Sequence, residues 1–172
     1  RVQRVAGRPT VYDDPVQLDL REMVDVVLMR QDPPFDMAYI TACHILELLA
    51  PDTLVVNDPA HVRSAPEKLF PLLLPDFIPP SLISRDGDLI RDFRDTHQDV
   101  ILKPLYGFGG GDVFRVKPDD SNFSALVELF LARTTEPLIV QAFLPAVAEG
   151  DKRIILIDGE PIGGFNRVPL KG

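Results

Sequence analysis

Tryptophan is absent from the 172 residues and cysteine occurs once, as Cys43 in the apolar run AYITACHILELLA. One thiol cannot form an intrachain disulfide, which excludes a disulfide-stapled secreted scaffold and fits a reducing compartment. A cytoplasmic location is the expectation, with Cys43 in the core. No stretch approaches the roughly eighteen uninterrupted apolar residues that a membrane-crossing helix needs, so no membrane partner is expected. Basic blocks are missing too: 18 Lys and Arg against 26 Asp and Glu leave a net charge of -8. A phosphate-backbone binder needs a positive stripe, so nucleic acid is excluded as a partner. His44, His61 and His97 lie too far apart for metal-ligand spacing. Ser64, Ser81 and Ser84 match no nucleophile elbow. The chain opens at Arg1 and stops at Lys171-Gly172 in loop-like sequence, and a piece of a longer polypeptide is expected.

What is present is 45% hydrophobic residues, 17 prolines and 11 glycines, enough apolar material for one sizeable core or two modest ones. Residues 1–22, broken by Pro9 and Pro15, read as a loop or edge hairpin. MVDVVLM (23–29) reads as a buried strand ending at Arg30, followed by the stiff turn Asp32-Pro33-Pro34-Phe35-Asp36. Tyr39, Ala42, Cys43, Leu46 and Leu49 recur at helical spacing over 37–49, and TLVVN (53–57) follows as a second buried strand. Strand, helix and strand over this length make a βαβ unit with parallel strands. Arg30 then sits at the carboxyl end of its strand, where open α/β sheets bind ligands. There its guanidinium suits a bidentate grip on a carboxylate, with a salt bridge to Asp32 or Asp36 as the competing account.

From Asn57 the chain becomes proline-rich, with a short helix expected around Pro66 to Leu73. Strand 78–84, helix 87–97 with Leu89, Ile90 and Phe93 inward, strand DVILKP, its antiparallel partner DVFRVK, helix 122–132 and strand LIVQAFL (138–144) follow. Residues 153–157 and 161–168 form a hairpin about the turn Asp158-Gly159. The second region is therefore α+β, and the whole is α/β followed by α+β.

The stretch DVILKPLYGFGGGDVFRV (99–116) carries the most chemistry. Lys103 falls in step with Ile101, while Val100 and Leu102 face the other way. Pro104 stops the ladder, and Gly107, Gly109, Gly110 and Gly111 follow with Tyr106 and Phe108 between them. Glycine backbone donors can wrap an anion without steric conflict, and a lysine at a strand end can reach the same anion. A plain glycine-rich hairpin turn with a solvent-facing lysine is the bland alternative. The pattern is neither a Walker A loop nor a dinucleotide fingerprint. Lys68 in PEKLF could add a phosphate contact or be an ordinary surface lysine. QAFLP (141–145) could line an adenine slot or be a core strand with a proline stop. Asp151 could accept from a ribose hydroxyl and Arg153 could reach an acyl phosphate or carboxylate, or both are solvated charges at a strand start. Arg167 has the same ambiguity.

Taken in order, LMRQDPPFD (28–36), VVNDPAHVRSAPEKLF (55–70), DVILKPLYGFGGGDVFRV (99–116), VQAFLPAVAEGDKRIILIDGEP (140–161) and NRVP (166–169) resemble the bacterial type of glutathione synthetase, within the ATP-grasp superfamily. The resemblance implies an ATP-grasp fold with residues 1–60 as the tail of an N-terminal pre-ATP-grasp α/β domain. Residues 61–75 would be a crossover, 76–141 a central lid domain and 142–172 the start of the C-terminal domain. It implies ATP and Mg²⁺, with γ-glutamylcysteine and glycine as substrates and a homo-oligomeric assembly. By the same resemblance Lys68 and Lys103 contact phosphates, Tyr106 to Asp112 form a small glycine lid, and Gln141, Ala142, Phe143 and Leu144 line the adenine. Asp151 becomes the ribose or nearby nucleotide contact, and Arg30, Arg153 and Arg167 bind carboxylate or phosphate on the dipeptide side, the last two with a catalytic role. The family's metal ligands fall beyond residue 172, so none is named. Another ATP-grasp peptide or amino-acid ligase, or a nucleotide-binding module without catalysis, are the alternatives.

Overall fold

The computed structural model describes residues 2–3, 11–12 and 14–168. Pro9 of the opening segment and Pro169 to Gly172 lie outside the described residues. The chain divides into two compact units, Arg1–Glu67 and Lys68–Gly172.

In the first unit, β1 (Val2–Gln3) and β2 (Val11–Tyr12) pair antiparallel, as an edge hairpin requires. A one-turn helix, α1 (Leu20–Met23), follows where a loop was expected; the Asp19 side chain accepts from the Arg21 amide and starts it. β3 (Val26–Leu28) and β4 (Leu54–Val56) are parallel, with α2 (Met37–Glu47) between them in the chain, so the βαβ reading holds. Asp36 caps α2 by accepting from the Tyr39 amide at 2.9 Å. The strands are shorter and less buried than their composition suggests. Val26, Leu28, Leu54 and Val56 are exposed, and burial is confined to residues such as Met29, Cys43, Leu49 and Thr53. Apolar content shows that a strand wants cover, whereas burial needs a partner on each face.

In place of the expected helix at 66–73 there is a turn followed by a 3-10 segment, Phe70–Leu73; the α-helix α3 (Pro59–Ser64) precedes it and a second 3-10 turn, Pro75–Phe77, follows. Asp58 caps α3, with Pro59 supplying a first-turn residue that needs no amide partner. Pro66 and Pro71 prevent the α-helical ladder from continuing through Lys68. α3 is tied to α2 by Arg63, whose Nε and Nη2 donate to one carboxylate oxygen of Glu47 at 3.1 and 2.7 Å.

The second unit is built on a four-stranded antiparallel sheet of β5 (Ser81–Ser84), β6 (Val100–Pro104), β7 (Phe114–Val116) and β8 (Leu138–Ala142), in spatial order β5-β8-β6-β7. Two helices, α4 (Gly87–His97) and α5 (Phe123–Arg133), supply the rest of its core. α4 matches its expected span because both ends are marked. Asp86 accepts from the Asp88 and Leu89 amides at the start, and Gln98 takes a positive φ of 66° at the end. α5 is closed by Arg85, which donates to the carbonyls of Leu131, Thr134 and Glu136. Ile90, Val100, Leu102, Val116, Phe123, Val127, Phe130, Leu138 and Val140 form one buried cluster. Phe93 packs against it, but Leu89, expected inward, is 51% exposed. In helical phase Phe93 lies between Leu89 and Ile90, so periodicity admits either, and the sheet covers the Ile90 side.

β9 (Asp151–Ile157) and β10 (Glu160–Arg167) complete the described chain as an antiparallel hairpin. Asp158 (φ 50°) and Gly159 (φ 82°) make the turn, as the Asp-Gly pair predicts. Both faces of this hairpin are exposed, including Ile154, Ile155, Leu156 and Ile157.

Ile90→Ala should destabilise the protein by about 2–5 kcal/mol, and Leu89→Ala by less than about 0.5 kcal/mol. Urea unfolding followed by circular dichroism measures both; equal losses would contradict the assignment of the inward face of α4.

Candidate functional site

Alternation along the sheet sorts its side chains into two sets. In an antiparallel pair, residues directly opposite one another share a face. Val100 is opposite Val116 and Ala142, and Leu102 is opposite Phe114 and Val140; this face packs on α4 and α5. Ile101 is opposite Arg115 and Gln141, and Gln141 is opposite Ser81. One row across the face turned away from the helices therefore reads Ser81, Gln141, Ile101, Arg115. The neighbouring row on that face reads Ile83, Ile139, Lys103. Lys103 is half-buried there, with Ile139 nearly fully covered beside it. Gln141 is oriented by its amide, which donates to Ser81 Oγ at 2.7 Å.

The glycine segment leaves the sheet at the end of the lysine's own strand. Gly107 packs so tightly on the Pro104 ring that an added Cβ would lie 2.5 Å from Pro104 Cγ. Gly109 and Gly110 have φ of 64° and 77°, a region that other residues rarely adopt, and the Gly111 amide closes the turn on the Phe108 carbonyl at 3.2 Å. Tyr106 and Phe108 are exposed along it. Lys68, expected on a helix, lies instead in the turn before the first 3-10 segment. Its ammonium donates to the Pro104 carbonyl at 3.1 Å and also to the Gly107 carbonyl. Two lysines thus converge on the root of one loop, Lys103 from the strand and Lys68 from the turn. Lysine ammonium groups and backbone amides freed by positive φ are the kinds of donor that bind an anion.

Of the adenine-lining candidates, Gln141 and Ala142 are the last strand residues, while Phe143 and Leu144 lie beyond the regular ladder. The chain after the proline stop turns as a 3-10 segment, Pro145–Glu149. Asp151, Arg153 and Arg167 share one face of the β9–β10 hairpin. Asp151 and Arg167 are opposite one another, and Arg167 Nε and Nη2 donate to Asp151 Oδ2 at 2.9 and 2.5 Å. Arg30 lies two residues past the end of β3 and is exposed; the ion pairs formed by the described residues include none between it and Asp32 or Asp36.

Sequence reasoning missed Asp99 and Arg115. Arg115 Nε and Nη2 donate to the two oxygens of Asp99 at 3.0 and 2.6 Å, and the guanidinium lies 3.6 Å from the centre of the Phe143 ring. The hydrogen bonds from Arg115 hold the Asp99 carboxyl below its usual range, with burial opposing and the charges of Arg115 and Lys117 assisting. The ion pair is therefore intact above the ordinary carboxylate range and is lost as pH falls through the lowered value. Among the described residues no cluster of three or more His, Cys, Asp or Glu could hold a metal ion, and no helix is long and apolar enough to cross a membrane.

Two family models match the chain. Residues 2–63 match "Prokaryotic glutathione synthetase, N-terminal domain" and residues 67–172 match "Prokaryotic glutathione synthetase, ATP-grasp domain". A glutathione synthetase of Rhodopseudomonas palustris is 56% identical over 171 residues, covering 99% of this chain and 54% of that protein. One from Bradyrhizobium diazoefficiens is 59% identical over 145 residues, 84% of this chain and 46% of the relative. The chain spans about half the length of the curated relatives it matches. Among solved structures, the ATP-grasp ligase PsnB, complexed with a phosphomimetic variant of its minimal precursor, Mg and ADP, aligns with a TM-score of 0.55 and 26% identity, over 73% of this chain and 39% of its own. D-cycloserine synthetase DcsG aligns with a TM-score of 0.58 at 19% identity, over 81% and 50% respectively, a likeness of fold. The fold is ATP-grasp.

Gly107→Ala should push the loop away from Pro104 and Lys68, at a cost of about 1–3 kcal/mol. Amide spectra should show displaced signals across 104–111. Gly163→Ala, where an added Cβ meets nothing within 4 Å, should disturb only its immediate neighbours. Unmoved 104–111 signals in the first variant would contradict the tight packing at Gly107.

Proposed function

Because the chain belongs to the prokaryotic glutathione synthetase family, we propose that it serves an ATP-dependent carboxylate-amine ligase joining γ-glutamylcysteine and glycine. In this reaction the cysteinyl carboxylate of the dipeptide takes the γ-phosphoryl group of ATP, releasing ADP. The glycine amine then attacks that acyl phosphate, forming the amide of glutathione and releasing phosphate and a proton. The observation that carries the reading is the shared face of Lys103 and Gln141, in adjacent rows of the sheet, with the glycine loop rising from the lysine's own strand. A triphosphate fits that arrangement: cationic heads and backbone amides for the phosphates, an oriented amide and strand edge for the base.

In this reading Lys68 and Lys103 bind phosphate, Tyr106, Gly107, Gly109, Gly110 and Gly111 cover it, and Gln141, Ala142, Phe143 and Leu144 line the adenine. Asp151 contacts the ribose side and orients Arg167 through their ion pair. Arg153 and Arg167 face the acyl phosphate and dipeptide, and Arg30 binds a substrate carboxylate. Acyl phosphates hydrolyse readily, so a loop able to exclude water favours the amine over water. Mg²⁺ accompanies the nucleotide, as the PsnB complex with Mg and ADP supports by analogy. Residues 1–60 belong to the N-terminal substrate domain, 61–75 to the crossover, 76–141 to the lid domain and 142–172 to the start of the C-terminal domain. A cytoplasmic homo-oligomer completes the reading.

Incubation with ATP, Mg²⁺, γ-glutamylcysteine and glycine should yield glutathione, ADP and phosphate in equal amounts. Transfer to other amines in preference to glycine would favour a different ATP-grasp ligase. Lys103→Ala should weaken ATP binding about tenfold or more, about 1.4 kcal/mol, while leaving the fold intact. Arg30→Ala should weaken γ-glutamylcysteine binding with little change for ATP. Calorimetric titration with each ligand separately checks both, and parent-like binding would remove the residue concerned from its assigned role.

A further inference from the structure

We propose that Arg115, clamped by Asp99, is a positioning residue for nucleotide binding, acting through Phe143 to fix the segment 141–144. The proposal rests on the nucleotide reading of that segment. It assigns a task to two residues that make no contact demanded by the phosphates.

The geometry has three independent parts. Regular pairing of β8 stops at Ala142, so Phe143 and Leu144 leave the sheet where a strand end normally frays. Phe143 is held back by two attachments to the same pair of residues. Its amide donates to the Asp99 carbonyl at 2.9 Å, and its ring lies under the Arg115 guanidinium at 3.6 Å. The guanidinium is itself fixed by both Asp99 oxygens, at 3.0 and 2.6 Å. Backbone and side chain of Phe143 are thereby tied to one rigid unit spanning β6 and β7.

The register places this clasp beside the candidate site. Arg115 stands in the same row as Gln141, and just past the ladder the Phe143 amide meets the Asp99 carbonyl. A guanidinium already paired with a carboxylate adds little net charge, so attraction of phosphate is a poor account of it. Its planar fork suits a different task, since it can stack on a ring and make two parallel hydrogen bonds at once. Lysine cannot do both. A base that hydrogen-bonds to the backbone of 141–144 requires that backbone to be fixed before binding, and a strand end loosened by loss of the clasp loses affinity without any change at the reacting atoms.

The test uses the active protein and measures ATP KM, kcat, the KM values of the other two substrates, and the thermal midpoint. Arg115→Ala should raise ATP KM about tenfold with kcat and the other KM values within about twofold. Arg115→Lys should fail to restore ATP KM although it keeps the charge. Phe143→Leu should raise ATP KM similarly, and the double variant Arg115→Ala/Phe143→Leu should be no worse than the more affected single one, because both break one device. An unchanged ATP KM in Arg115→Ala, with Lys103→Ala impaired in ATP binding, would overturn the clasp and leave the nucleotide site standing. Parent-like ATP binding in Lys103→Ala would instead overturn the site reading. A lowered midpoint with ATP KM unchanged would reduce the clasp to a structural feature and overturn the proposal. Should Arg115→Ala fail to fold, Arg115→Lys and Asp99→Asn carry the same comparison.

Discussion

The period-two alternation of β6 is the constraint on which the second unit depends. Val100 and Leu102 are fully buried against α4 and α5, and this fixes Ile101 and Lys103 on the opposite face. A slip of one residue would drive an ammonium group into an apolar core and expose two aliphatic side chains. Several kcal/mol of desolvation stand against that slip. The strong hydrophobic preference of two residues therefore positions a charged one. Gln141 and Arg115 inherit their places from the same register, because β7 and β8 pair with β6 on either side.

A second constraint is steric. The glycine loop begins at Pro104, and its first glycine lies against that proline's ring, so the turn is anchored at its root while Gly109 and Gly110 keep the backbone freedom that a closing loop needs. Lys68 reaches the same root from outside the strand and donates to its carbonyls. The chain's most permissive segment is thus bounded by two of its more rigid contacts. That combination suits a cover that must move at its tip and stay in register at its base.

Much of this was legible in the sequence because local chemistry decided it. The Ile101–Lys103 phase, the α4 limits set by Asp86 and the residues before Asp99, and the Asp158-Gly159 turn each follow from neighbours in the chain. What was not legible depended on partners far along it. Leu89 and Ile90 are equally apolar, and only the position of the sheet selects Ile90. The strands around Val26 and Leu54 read as buried from composition, yet their burial is set by what covers each face. The short helix expected around Pro66 to Leu73 would hold Lys68, whereas Pro71 breaks the ladder five residues after Pro66. Asp99 and Arg115 bracket the glycine stretch at in-phase positions, and their pairing becomes visible only when the loop length fixes which residues lie opposite.

A crystal structure of the active protein with a non-hydrolysable ATP analogue tests the central claim most directly. The account places Lys103 Nζ within hydrogen-bond distance of a phosphate oxygen, and the adenine against the backbone of 141–144. Phosphates bound elsewhere, with Lys103 Nζ directed into solvent, would contradict it.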